Sequence, residues 1–174
     1  MSLTPKTPIP EGAIRYNTDS NKMEVWIGDK WMIVATSSPN LDGGARGVFA
    51  GGRVNPGVAQ DVIQFITTTT QANATDFGDL TQARHNFEGC GSRTRGVFMG
   101  GRTPTPSDTI DFVTISSTAN ATDFGNLNKG AVQHGGCCSN ETRGLHFNGN
   151  NHPAGTEFNA IDFITIASTG NALD

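Results

Sequence analysis

Cysteine is scarce: the 174 residues hold three, Cys90, Cys137 and Cys138, too few for a disulfide-built scaffold. Adjacent thiols bridge one another only under strain, and without a CxxC pair the set lacks a zinc pattern. Cys90 and Cys137, in "EGCGS" and "GGCCS", read as small packing residues at matching places, and synthesis in a reducing compartment fits them. Basic residues are also few, 12 against 16 acidic ones, for a formal net charge of −4. That balance offers no broad positive field and argues against nucleic-acid binding. Long apolar runs are missing: the longest, Trp31 to Ala35, is far short of a membrane span. The opening "MSLTPKTPIP" has no apolar signal segment, so membrane insertion and general export are not expected. No window carries a sustained 3.6-residue apolar stripe, which removes the amphipathic helix as a building unit.

What is abundant is glycine, 22 residues, alternating with β-branched and phenylalanine-rich patches, and the chain reads as all-β. The segment "ARGVFAGGR" (45–53) returns as "TRGVFMGGR" (94–102) and, altered, as "TRGLHFNGN" (142–150). Arg46, Arg95 and Arg143 are 49 and 48 residues apart, and each precedes a short apolar run ending in a small pair. Those pairs are Gly51-Gly52, Gly100-Gly101 and Asn148-Gly149. Further on, "NATDFGDL" and "NATDFGNL" differ at one position, and the third copy stops at "NALD". Such a period is the signature of a repeat architecture. Each unit parses into four strands: the Arg-Gly strand, a second around Ile110, Phe112 and Ile115, a short "DFG" strand, and a last one at "HNFEGCGS" or "QHGGCCS". Val48, Phe49, Val97, Phe98, Ile110, Phe112, Ile161 and Phe163 are the expected sheet cores. The Gly-Gly-ended strand and the period resemble a kelch-type β-propeller repeat, in the divergent form of many bacteriophage virion proteins. The resemblance covers 43 to 174, about 2.7 repeats (43–92, 93–140 and an incomplete 141–174). The later Tyr and Trp of kelch repeats are absent, with Phe77 and Phe124 as substitutes.

Residues 1–40 differ, with Ile14 and Tyr16 on one strand, "NTDSNK" as a turn, and two strands through Val25 and Trp31. This three-strand meander resembles a short "G-x-I-R-Y-N-T-D … W-x-G-x-x-W" module of tail-fibre and other structural proteins of tailed phages. It is expected to serve attachment or oligomerisation through Ile14, Tyr16, Trp26 and Trp31, since so small a unit seldom holds its own core.

The search for chemistry is largely negative. Arg46, Arg95 and Arg143 invite comparison with a sialidase arginine cluster, but the aspartate-box signature is absent, and bonds to carbonyls or acids of a neighbouring repeat explain them better. One tyrosine excludes copper-radical chemistry. His85, His134, His146 and His152 lack metal spacing. Asn73, Asn120 and Asn171 with Asp76, Asp123 and Asp174 read as Asx turns, not calcium loops. No nucleophile elbow or phosphate loop is present, and neither metal, cofactor nor catalytic set is expected.

The resulting expectation is a non-enzymatic structural component of a tailed-phage particle, a tail fibre, appendage or decoration protein. It would be made in the host bacterial cytoplasm and located in the virion, with other virion proteins and sister copies as partners, a trimer favoured, and a possible host surface ligand. The alternatives are a cytosolic kelch-type protein-interaction scaffold and a propeller enzyme. The third repeat lacks counterparts of Phe77 to Ser92, so its edge is expected to be bare, covered by further chain or by sister copies.

Overall fold

The computed structural model describes residues 8–34, 44–151 and 155–174. The chain divides into two compact units, Met1–Pro39 and Asn40–Asp174.

In the first unit, β1 (Ile14–Asn17), β2 (Lys22–Ile27) and β3 (Lys30–Ile33) form an antiparallel meander. The first turn forms because Asn17 Oδ1 accepts the backbone N–H groups of Asp19 and Ser20, and Asn21 takes the left-handed conformation that asparagine tolerates. Trp26 pairs across the second hairpin with Trp31, edge to face at 5.3 Å.

In the second unit the repeats become three small antiparallel sheets. Sheet I contains β4 (Arg46–Ala50), β7 (Val62–Thr67) and β8 (Thr75–Asp79), with a ribbon of β5 (Arg53–Val54) and β6 (Val58–Ala59) between β4 and β7. Sheet II orders β12 (Thr122–Asn126), β11 (Thr109–Thr114), β10 (Arg95–Met99) and β9 (Glu88–Gly91). Sheet III joins β13 (Gly136–Ser139), β14 (Arg143–Phe147) and β17 (Ile161–Thr165), with a ribbon of β15 (Asn150–Asn151) and β16 (Thr156–Glu157).

One expectation about the repeats is corrected here. The "EGCG" strand closes the first sequence repeat but pairs with β10, so each sheet takes its first strand from the end of the preceding repeat. Strand pairing follows the short connection Ser92–Thr94, not the sequence period. The outer side of β17 is bare as expected except for the isolated bridge of Leu173 to Phe163, and among the described residues no strand pairs with the free side of β4 either. The positions 49 before Glu88–Gly91, 39–42, lie outside the described residues.

The core lies between the sheets. Ile63, Phe77 and Leu80 of the first repeat meet Phe98 and Val113 of sheet II. Val97, Met99, Ile110 and Phe124 of sheet II meet Ile164, Ile166 and Ala172 of the third. Each inner sheet face therefore needs a neighbour for burial. Val97, Phe98 and Ile110 are buried and Val48, Phe112 and Phe163 half-buried, but Phe49 is 57% and Ile161 54% exposed, against expectation. Their counterparts Phe98 and Ile110 are buried; the difference is that Phe49 and Ile161 lie on the outward faces of the end sheets.

Candidate functional site

Each junction between sheets uses the same polar parts. Arg46 Nη1 donates to the carbonyl of Ile115 at 2.7 Å and Arg95 Nη1 to that of Ile166 at 2.8 Å, so each arginine reaches into the next sheet. Their guanidinium groups, with that of Arg143, lie 4.3 to 4.7 Å from the ring centres of Phe65, Phe112 and Phe163 in their own sheets. The recurrent asparagines also cross the junction, which corrects the local Asx-turn reading: Asn120 Oδ1 accepts the N–H of Asp79, and Asn171 Oδ1 that of Asn126.

A third part was legible in "TIDF" and "AIDF" but not singled out. Asp111 is fully buried, accepts from Thr81 and lies 3.0 Å from Nη1 of the fully buried Arg84. At the next junction Asp162 accepts from the N–H of Lys129, whose Nζ donates to the carbonyls of His146 and Ala160. His146, 1% exposed, occupies the place of Phe98, and burial, with Lys129 nearby, depresses its pKa to about 4.

On the first strands the structure realigns the cysteines. Val97 pairs with Cys90 and Leu145 with Cys138, so Cys138, not Cys137, is the counterpart of Cys90. Cys137 instead hydrogen-bonds Cys90, and that bond together with burial pushes its thiol up. All three are free.

These junctions fix one end of the array, where the small pairs terminate β4, β10 and β14. Gly51 and Gly100 have φ of 58° and 70°, and Asn148 takes their place with the same left-handed backbone at 58°. Behind the pairs, Gly52 N–H donates to Arg84 O and Gly101 N–H to Val132 O, while Gly149 lies against Gln133 O. The ribbons β5–β6 and β15–β16 and the segments 81–87 and 128–135 all emerge at this end. Asn86 and His134 occupy equivalent left-handed positions here and bond through Asn86 Nδ2 and His134 Nε2 at 3.1 Å. An open cavity of about 620 Å³ is lined by His134, Asn148, Gly149, Asn150, Glu157, Phe158 and Asn159. Its amides, carboxylate and imidazole can hydrogen-bond a polar ligand, while Phe158 offers a ring. The variable loops hinted at this end, but convergence on one cavity depends on pairing between repeats. Among the described residues no group of three His, Cys, Asp or Glu is placed to hold a metal ion.

In the first unit, Ile14 and Tyr16 are 65% and 56% exposed, and Trp26 and Trp31 are half-buried. Arg15 stacks 4.2 Å from the Trp31 ring centre and pairs with Glu24 at 2.7 Å. Glu24 is held below the usual carboxylate range by the Asn17 amide and then by Arg15.

No family profile matches the sequence, and no curated protein matches it. Among solved structures the chain is similar to YjhT, with a TM-score of 0.60 and 12% identity over 92% of this chain and 50% of that one. The fold is propeller-related. The present chain thus spans about half the length of its structural relative, and the likeness is one of fold. It nevertheless corrects the functional expectation. The fold is shared with YjhT, which is not a phage virion protein, and the tailed-phage particle, the virion location and the non-enzymatic reading are withdrawn. The physical reason is that the Gly-Gly strand end and the ~50-residue period encode sheet geometry, which propellers of any origin share.

Proposed function

We propose that the second unit is a kelch-type propeller recognition module whose ribbon-bearing end binds a protein partner. The observation that carries this reading is the β5–β6 ribbon, which holds Val54 and Val58 paired across its two strands, 49% and 56% exposed. The ribbon is anchored at its base by Gln60 N–H donating to Gly52 O. Two cross-strand valines on a firmly held projection form an apolar anchor of the kind that protein interfaces bury, flanked by polar groups that set orientation. The paired substitution Val54→Asp/Val58→Asp should abolish recovery of a defined partner in crosslinking and mass spectrometry. A change at the opposite end, Thr70→Asp, should not. A partner recovered equally by all three proteins would count against the reading.

The cavity beside Glu157 favours a second reading, a propeller enzyme or small-ligand binder, because an imidazole and a carboxylate there share one open pocket with three asparagines. A thermal-shift screen of small polar metabolites discriminates: a stabilising compound whose effect is lost in Glu157→Gln and His134→Ala supports this reading over the first.

A further inference from the structure

We propose that Cys90 and Cys137 are a peroxide-responsive dithiol, a site of reversible oxidation at which one disulfide forms across the junction between sheets II and III. The two thiols come from different sheets and turn toward each other. Cys90 lies on β9 opposite Val97, and Cys137 on β13 opposite His146. Both pack on the same core, that of Val97, Met99, Ile164 and Ile166. A methyl group on Gly144 of β14 would lie 2.9 Å from Cys90 Sγ, so that sulfur sits against the backbone of sheet III. Ser139, two residues beyond Cys137, fastens the two strands: its hydroxyl donates to Gly91 O at 2.7 Å and accepts from Gly91 N–H at 3.1 Å. Across this fastened pair the thiols hydrogen-bond each other. Side-chain rotation then suffices to bring the sulfurs to the roughly 2.0 Å of a disulfide, with no strand changing its partner.

The fold does not require a thiol at 137. Phe98 and His146 hold equivalent places on β10 and β14, and the residue paired with Phe98 is Gly89. A glycine therefore serves on β9 where β13 carries Cys137. Among the described residues no third His, Cys, Asp or Glu joins the pair, which leaves it short of the ligand set of a structural zinc. Cys138 is exposed, and strand alternation puts it on the other face of β13.

The two sulfurs are unequal. The hydrogen bond from Cys137 holds the Cys90 thiol below its ordinary range, while that bond and burial push Cys137 up. Cys90 is thus the thiolate that meets the oxidant. Its sulfur attacks one oxygen of hydrogen peroxide, the O–O bond breaks, and the departing hydroxide takes up the proton that Cys90 had lost. Cys90 is left as a sulfenic acid. Cys137 Sγ then attacks the Cys90 sulfur; the S–S bond forms, the S–O bond breaks, and the oxygen leaves with the Cys137 proton as a second water. Two thiols and one peroxide give one disulfide and two waters, and a dithiol reductant reverses the change. The bond ties β9 to β13 and so fixes sheet III on sheet II, a transient cross-link of the kind that redox-sensing thiols form in a reducing compartment.

The test uses the whole chain carrying Cys138→Ser, which leaves Cys90 and Cys137 as its thiols, with the wild type alongside. A few equivalents of hydrogen peroxide should lower the intact mass by two hydrogens and close both thiols to alkylation in denaturant. Trypsin should then release one species joining residues 85–93 to 130–143, and dithiothreitol should restore the starting mass. The wild type should give the same species with Cys138 still alkylated. In Cys137→Ser/Cys138→Ser the cross-link should be lost and Cys90 should accumulate as a sulfenic acid trapped by dimedone. The cross-link should form more slowly in urea, where the strands no longer hold the thiols together. Thiols that stay open to alkylation, sulfinic or sulfonic acid on Cys90 in place of the cross-link, a bond between two chains, or equal rates in the folded and unfolded protein would each overturn the proposal.

Discussion

His146 should make the second unit sensitive to acid in a defined window. Its imidazole is 1% exposed and is packed beside Lys129 and Asp162, with Gly135 so close that a methyl group there would lie 2.5 Å from Cε1. In the folded chain its pKa is about 4 against an ordinary 6.5. The folded state therefore holds neutral histidine, and between these values the unfolded chain binds more protons. Stability is complete above pH 6.5, falls as the pH drops below it, and the loss is full near pH 4. A difference of this size corresponds to about 3 kcal/mol in total, of which roughly 2 kcal/mol is lost by pH 5. His146→Phe is the natural probe, because phenylalanine occupies the equivalent position in β10. Urea unfolding of both proteins at pH 7.5 and pH 5 should show a wild-type loss exceeding the variant's by about 2 kcal/mol. Parallel losses in the two proteins would refute the reasoning, since acid sensitivity would then come from groups other than His146.

Two further outcomes test the junctions. Asp111→Ala strands the buried Arg84 guanidinium and should cost about 3 to 5 kcal/mol, most of it recovered in the double variant with Arg84→Met; additive losses in chemical denaturation would show the pair to be uncoupled. Gly125→Ala should lower stability by at least about 2 kcal/mol more than Gly130→Ala. Both glycines have positive φ, but a Cβ on Gly125 would lie 2.5 Å from Gly170 O while one on Gly130 meets nothing within 4 Å, and equal losses would remove the contact from the explanation.

Gly125 also illustrates what a one-dimensional reading reaches. The "DFG" motif was visible as a repeated strand, yet the reason for its glycine, the backbone of the next repeat passing over it, is a contact between residues 45 apart. The same holds for Asn171, read locally as a turn former but bonded to Asn126, and for the cysteines, whose pairing depends on register and not on sequence offset.

By itself the sequence determined the all-β class, the repeat of roughly fifty residues, the glycine-terminated strands and the separate N-terminal meander, because these follow from local backbone preference and side-chain alternation. Tertiary structure alone decided which strand completes which sheet, which of two equivalent phenylalanines or isoleucines is buried, and where Arg84, Asp111, Lys129 and Asp162 meet. Those outcomes depend on having a neighbour across a junction, and a repeat cannot encode whether it stands in the middle of an array or at its end.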